Sequence, residues 1–255
     1  MTTARLGDFA GLVSRGPQRN ELHILPVRLP ATDGALARLM GDLTHDEARR
    51  ARAAVTPAAR RRFIAGRALL RRLLALRTGQ SPAAVRLTYG ARGKPAAEGA
   101  GLAFNLSHAG SWLLIAIAAS GDIGVDVEDR LPLLEAMALA PRILTGDEQR
   151  RLAMAPPRRK ASLVQRHLVL KEAMMKARGH GLALDPRTIS VDRDGSGGQW
   201  AEGAGVVFHW RLDRGAQAAA AWAGRGAPRL VRHSPQELSA VADAMARFPD
   251  EVQVR

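Results

Sequence analysis

The 255-residue chain contains no cysteine, one tyrosine, four tryptophans and five phenylalanines. Without cysteine, disulfides and thiolate metal sites are excluded, which is compatible with a cytoplasmic location, the one expected here. Aromatics at 4% leave little material for the stacking platforms that grip single-stranded nucleic acid. No apolar run is long enough to span a bilayer. Arg5, Asp8, Arg15 and Arg19 break up the first twenty residues, so neither a signal-peptide core nor a membrane partner is expected. Acidic residues are also in short supply, 24 Asp+Glu against 38 Lys+Arg, for a formal net charge of +14. That balance favours anionic partners: nucleic acid, acidic proteins or phosphates. Nearly all the cations are arginine in an Ala/Arg/Gly-rich chain, so composition accounts for much of it. Runs such as Arg60-Arg61-Arg62 and Arg158-Arg159-Lys160 read as solvated helix ends, or as charges that steer an acidic partner.

What is present is more telling. Apolar residues make up 46%, and the length allows a large core in one or two domains. Within Gly121 to Glu128, the β-branched Ile123, Val125 and Val127 alternate with Asp126 and Glu128, which predicts a strand. Residues i and i+2 of a strand share a face. Two carboxylates so close repel each other unless a divalent cation or a shared proton lies between them. Hard oxygen donors of this kind suit Mg²⁺; the alternative is an edge strand with a solvated acidic face.

A second set of polar residues falls on a helix expected over residues 160–178, which lack Gly and Pro and are followed by Gly179. Leu163, Leu170, Met174 and Ala177 form one stripe, and Glu172 and Lys176 are i,i+4 neighbours on the opposite side. Leu168, Val169 and Met175 flank that side, which predicts a helix covered on several sides with Glu172 in a cleft rather than in a surface ion pair. Lys171 projects in a third direction. Upstream, Phe104-Asn105-Leu106-Ser107-His108 reads as a strand entering a polar turn, offering a hydroxyl and an imidazole to an anion. Arg92-Gly93-Lys94-Pro95 reads as a basic turn. Thr56-Pro57 starts a helix running to about Arg77. Arg67 lies on its apolar stripe with Phe63, Leu70 and Leu74, where a guanidinium needs an anionic ligand or an internal carboxylate.

Taken together and in order, these segments resemble the 4′-phosphopantetheinyl transferase superfamily, of the surfactin-synthetase-activating type. The residues that carry the resemblance are Arg62-Phe63 with Arg67 and Leu69-Leu70-Arg71, Gly93-Lys94-Pro95, Asn105-Leu106-Ser107-His108, Gly124-Val125-Asp126-Val127-Glu128, Lys171-Glu172-Ala173 with Lys176, and Gly179-His180-Gly181-Leu182. The resemblance covers roughly residues 43–192, more than half the chain. The resemblance implies that Asp126, Glu128 and Glu172 hold Mg²⁺, or Mn²⁺, against the pyrophosphate of coenzyme A. Glu172 would also be the general base. Lys171 and Lys176 would contact the phosphates, and Arg67, Lys94, Ser107 and His108 would line the coenzyme A site. The reaction would transfer the phosphopantetheine arm to a serine of an acidic acyl, peptidyl or aryl carrier protein and release adenosine 3′,5′-bisphosphate. Leu168 departs from the family, in which an aromatic residue is common three positions before the Lys-Glu pair. Glu148 looks like a further family acid but reads more simply as a first-turn Glu favoured by the helix dipole. The residue types alone leave two other functions open: a Mg²⁺-dependent phosphohydrolase or nuclease using the same acids, and a basic nucleic-acid-binding protein. Sparse aromatics and dispersed charge argue against the second, so no nucleic-acid partner is expected.

The expected fold class is α+β. Helices near 35–41, 45–54 and 57–77 precede strands near 84–89, 102–107 and 111–118. The acidic strand 123–128 opens a second series, with helices near 133–140, 146–154 and 160–178 and strands near 188–193, 205–212 and 217–223. Helices followed by runs of antiparallel strands point to α+β. The resemblance implies a pseudo-dimer of two similar halves in one chain, each a small mostly antiparallel sheet packed with helices, and hence a monomer. The expected division is residues 1–120 for the coenzyme A side, 121–225 for the metal and catalytic acids, and 226–255 for a C-terminal helical extension, opened by the capping box Ser234-Pro235-Gln236-Glu237.

Overall fold

The computed structural model describes residues 2–4, 12, 15–29, 34–179, 183–191, 197–200, 203–223, 226–237, 241 and 243. The strands are β1 (Thr2–Ala4), β2 (Glu21–Arg28), β3 (Leu87–Tyr89), β4 (Pro95–Ala97), β5 (Ala103–Ala109), β6 (Trp112–Ala118), β7 (Ile123–Glu128), β8 (Ser190–Val191), β9 (Gly197–Trp200), β10 (Gly203–Arg211), β11 (Gln217–Trp222), β12 (Arg229–His233) and β13 (Gln236–Glu237). The α-helices are α1 (His45–Arg52), α2 (Pro57–Thr78), α3 (Leu133–Ile143), α4 (Gly146–Met154) and α5 (Pro157–Arg178). Among the described residues no helix is long and apolar enough to cross a membrane.

Local chemistry sets the helix ends. Thr44 and Glu47 form a capping box on α1, and Thr145 and Glu148 form one on α4. Thr56 caps α2 through the Ala59 amide, with Pro57 at the first helical position. Pro157 starts α5 three residues before the expected onset, for the same reason. Gly79 and Gly179, both at φ 67°, close the two long helices in the left-handed conformation that glycine adopts without strain.

Two sheets carry the fold, as the α+β reading expects. The first runs β1-β12-β2-β6-β5, with β13 also on β2; the second runs β7-β11-β10-β9-β8 and is antiparallel throughout. In the first, β2, β6 and β5 are antiparallel, and β1, β12 and β13 add parallel strands. Leu113, Ile115 and Ile117 of β6 pack on Ile64, Ala65, Ala68, Leu69 and Leu73 of α2. The other face of β6, Trp112, Leu114, Ala116 and Ala118, meets Ile123, Val125 and Val127 of β7 and Ala218 and Ala220 of β11. The alternation of β7 therefore sends its aliphatic side chains into the core between the halves and leaves Gly124, Asp126 and Glu128 facing α5. Helix α5 packs through Val169, Leu170, Ala173 and Met174 on the second sheet. It comes so close to β7 that a Cβ on Gly124 would lie 2.0 Å from the Ala173 carbonyl oxygen and 2.4 Å from the Ala177 nitrogen.

The halves are joined along β5 and β7 by side chains. Asn105 Oδ1 accepts the Val125 amide at 2.9 Å, and Ser107 Oγ accepts the Val127 amide at 3.3 Å. Buried amides on this edge of β7 thus find partners without a backbone ladder.

Strands β1, β4 and β9 fall outside the expected set, and two larger differences concern the first sheet. Strand β2 was not expected, because its buried run Glu21–Arg28 lacks alternation and contains Pro26. Pro26 falls between the β2 residues that pair with β12 and those that pair with β13, where its missing N–H disturbs the sheet least. The capping box at Ser234 does not open a helix there: Gln236 and Glu237 pair with Val27 and Arg28, so this segment joins the first sheet. The rest of that expected helix, apart from Val241 and Asp243, lies outside the described residues, as do His180, Gly181 and Leu182 of the motif after α5.

Candidate active site

A cavity of about 440 Å³ opens at the seam between the halves. Asp126 and Glu128 reach it from β7, Glu172 and Lys176 from α5, Ser107 and His108 from β5, and Arg62, Phe63 and Arg67 from α2. Three carboxylates from two elements some forty residues apart in the chain therefore line one wall. The strand period sets the first two and the helix period the others, but only the packing at Gly124 brings them together.

Asp126 is the most enclosed, at 3% exposure. Its Oδ1 accepts from Lys176 Nζ at 2.6 Å and from Ser107 Oγ at 2.8 Å. Lys176 Nζ also donates to Ser107 Oγ at 2.9 Å. The Ser107 hydroxyl is thus saturated, donating once and accepting from the Val127 amide and Lys176. Asp126 Oδ2 is buried with no hydrogen-bond partner. Such an orphaned acceptor costs about 1–3 kcal/mol unless a cation or a donor reaches it.

The electrostatics point the same way. Burial raises the Asp126 pKa, against the opposing effect of Lys176 and Ser107. Burial, then the Asp126 charge, push Glu128 up to about 7, with Glu172 and Asp129 adding to it and Lys176 opposing. Burial and then Asp126 also raise Glu172, again against Lys176. The acids hold more negative charge than one ammonium neutralises. A hard divalent cation bound by their oxygens would relieve it, and the all-oxygen donor set of Asp126, Glu128 and Glu172, with the orphaned Asp126 Oδ2, fits Mg²⁺. Among the described residues no three His, Asp or Glu side chains are gathered closely enough to hold a metal ion; the Lys176 ammonium stands against Asp126.

Of the two alternatives read from its position, Arg67 finds the internal carboxylate. Its Nε lies 3.3 Å from Glu47 Oε1, while its buried Nη1 has no hydrogen-bond partner and the residue lines the cavity. Glu47 is shared with Arg71, whose Nε and Nη2 donate to it at 2.6 and 3.0 Å and whose Nη1 binds the Pro82 and Val85 carbonyls. Glu47 was not anticipated, although its capping-box spacing after Thr44 was legible.

Two lysines do not reach the cavity. Lys171, expected at phosphates, is 1% exposed, and its Nζ donates to Glu148 Oε2 at 2.5 Å and the Ile143 carbonyl at 2.7 Å. Its position one residue before Glu172 turns it by about 100° around the helix, toward α3 and α4. Glu148 is therefore more than a first-turn acid: it caps α4, pairs with Lys171 and accepts the Val191 amide at 3.2 Å. Lys94, expected at coenzyme A, donates to the Ala177 carbonyl at 2.6 Å. A lysine there satisfies an orphan carbonyl of the last turn of α5 and complements its dipole.

Comparison with known proteins places the chain among relatives of one kind. Residues 122–223, which contain Asp126, Glu128, Glu172 and Lys176, match the 4′-phosphopantetheinyl transferase superfamily. Over 169 residues the chain is 36% identical to the 4′-phosphopantetheinyl transferase HetI of Nostoc sp., covering 64% of this chain and 71% of that protein. It is 34% identical over 118 residues to the 4′-phosphopantetheinyl transferase AcpT of Salmonella typhi, covering 46% and 58% of the two chains. It is 29% identical over 183 residues to a phosphopantetheinyl transferase of Thraustochytrium sp., covering 65% and 62%.

Proposed function

The chain belongs to the 4′-phosphopantetheinyl transferase superfamily, and from that premise we propose that it moves the phosphopantetheine arm of coenzyme A to a serine of an apo acyl, peptidyl or aryl carrier protein, releasing adenosine 3′,5′-bisphosphate. The observation that carries this reading is the convergence of Asp126, Glu128 and Glu172 with Lys176 on one cavity between the halves. The acids would hold Mg²⁺, which when bound supplies charge neutralisation at the pyrophosphate.

The remaining chemistry falls to side chains. A serine hydroxyl is a weak nucleophile at neutral pH and needs a base. Glu172, with its pKa raised by burial, is suited to take the hydroxyl proton as the serine oxygen bonds to phosphorus and the bond to the bisphosphate breaks. Lys176, already placed between Asp126 and Ser107, offers N–H donors to a phosphate oxygen. Ser107 positions Asp126. Arg62 and Arg67 of α2 and His108 of β5, which also line the cavity, are suited to meet an anionic end of coenzyme A. Both walls of the cavity come from one chain, which supports action as a monomer.

The test is direct. Incubation with coenzyme A, Mg²⁺ and an apo carrier protein should add the arm to the carrier, read by intact mass, in step with adenosine 3′,5′-bisphosphate. Phosphate release with no mass added to the carrier would overturn the proposal and favour a phosphohydrolase.

A further inference from the structure

Gln165 lies on α5 seven residues before Glu172, two turns away on the same side of the helix. It is 3% exposed and does not line the cavity. Its Nε2 faces three backbone carbonyls: Glu128 at 3.1 Å, Asp129 at 2.9 Å and Gly215 at 3.2 Å. Only the NH₂ of an amide can face three acceptors, so the orientation of the group is fixed. Its Oε1 accepts from Gln217 Nε2 at 3.2 Å. Gln217, itself 3% exposed, stands opposite Glu128 at the last pair of the β7–β11 ladder. It also donates to the Ser162 carbonyl and hydroxyl, each at 3.0 Å, and accepts from His209 Nε2 at 2.7 Å.

The network sits where β7 runs out of strand partners. Beyond Glu128 no ladder constrains the chain, yet Glu128 must hold its carboxylate near Glu172, whose helix is a separate element. The amide of Gln165 supplies the missing tie, binding the end of β7 and the start of β11 to the helix that carries Glu172. We propose that Gln165 is a positioning residue of the transfer reaction: its carboxamide locks α5 onto the end of β7 and so sets the separation of Glu128 and Glu172 that a divalent cation requires. This rests on the proposed function above.

The experiment uses the full chain and two substitutions. Gln165→Met keeps the volume and removes the amide; Gln165→Glu keeps the shape and replaces the donor by an acceptor facing three carbonyls. Coenzyme A binding is measured by calorimetry across a Mg²⁺ series without carrier protein, alongside kcat and KM for carrier loading, with circular dichroism to establish folding. Loss of a group that orients metal ligands commonly costs about 10–100-fold in metal affinity or activity. The Mg²⁺ needed for half-maximal strengthening of coenzyme A binding should rise by that factor, and kcat should fall while KM for the carrier stays within about twofold. Should Gln165→Met fail to fold, Gln217→Met, which removes the partner of Gln165 Oε1 together with the bonds to Ser162 and His209 but leaves the three Nε2 contacts of Gln165, is expected to give the same shift at smaller size. Folded variants with wild-type Mg²⁺ dependence and kcat would overturn the clamp alone. A wild-type chain that neither binds coenzyme A with Mg²⁺ nor loads a carrier would overturn the proposed function and the clamp together.

Discussion

Replacing Gly124 by alanine puts a methyl carbon where the backbone of α5 already lies. That carbon would be 2.0 Å from the Ala173 carbonyl oxygen, 2.4 Å from the Ala177 nitrogen and 3.0 Å from the Lys176 carbonyl carbon. No rotamer relieves the clash, because each atom met is backbone. Strand β7 has no room to retreat. One edge is paired to β11 from Ile123 to Glu128, and the amides of Val125 and Val127 are held by Asn105 and Ser107. The helix must therefore move by about 1 Å to bring the closest contact to even 3.0 Å. Overpacking of this kind costs about 1–3 kcal/mol, which for a chain of this size lowers Tm by about 2–12 °C. Function should suffer more. Glu172 immediately precedes Ala173, so the displaced helix carries one acid away from the other two, and a 1 Å misplacement of a catalytic group costs on the order of 10²-fold in rate. Thermal unfolding by circular dichroism and carrier loading by mass spectrometry measure the two effects. Gly146→Ala, whose Cβ would meet only the Arg150 side chain at 3.6 Å, is the control and should change neither. A Gly124→Ala chain with the control's Tm and rate would refute the argument that this approach sets the acid geometry.

Other outcomes follow from the same contacts. Lys171→Met strands a buried carboxylate at Glu148, and breaking such a pair costs about 3–5 kcal/mol; Lys171→Met combined with Glu148→Gln should recover much of it in denaturant titrations, and additive losses would count against the pairing. Asp126→Ala, Glu128→Ala and Glu172→Gln should each leave a folded chain that loads no carrier, and wild-type turnover by any one removes it from the site. Glu47 and Glu148 behave alike on acidification. Burial acts to raise both, but hydrogen bonds and charge from Arg71 in one case and Lys171 in the other more than offset it, leaving each below the usual 4.5. Their stabilising contribution is complete above about pH 4.5 and is lost as pH falls through the lower folded values, so acid unfolding should begin below that point. The site acids behave oppositely. Glu128 titrates near 7 and would cost stability as pH rises from about 4.5 to 7. Mg²⁺ should therefore raise Tm more at pH 8 than at pH 5.5, and an equal effect at both would contradict the raised carboxylate.

Much of this molecule was legible from local pattern. Alternation in Ile123 to Glu128 placed two acids on one face, and helical spacing put Glu172 and Lys176 on one side of α5. The two long helices end where their glycines predict, because a cap is settled by neighbours three or four residues away. Strand β2 and the return of β12 and β13 to the first sheet were not legible. Their pairing joins residues about two hundred positions apart, and a fully buried strand has no alternation to read. Lys171 illustrates the same limit within one motif. Its sequence position beside Glu172 says nothing of which side the helix presents to α4. Only the assembled core directs its ammonium to Glu148, since an unpaired charge cannot remain buried.

The amino-acid order by itself thus determined the chemical inventory: three acids and a lysine on faces set by the strand and helix periods, in a cysteine-free, strongly basic chain. Tertiary structure decided which of those faces meet. Gly124 admits α5 against β7, Asn105 and Ser107 join the halves, and Gln165 ties the helix to the strand end. The physical reason is one of range. Periodicity and capping act over a few residues, whereas the convergence of carboxylates depends on steric fit and buried hydrogen bonds between segments that become neighbours only when the chain folds.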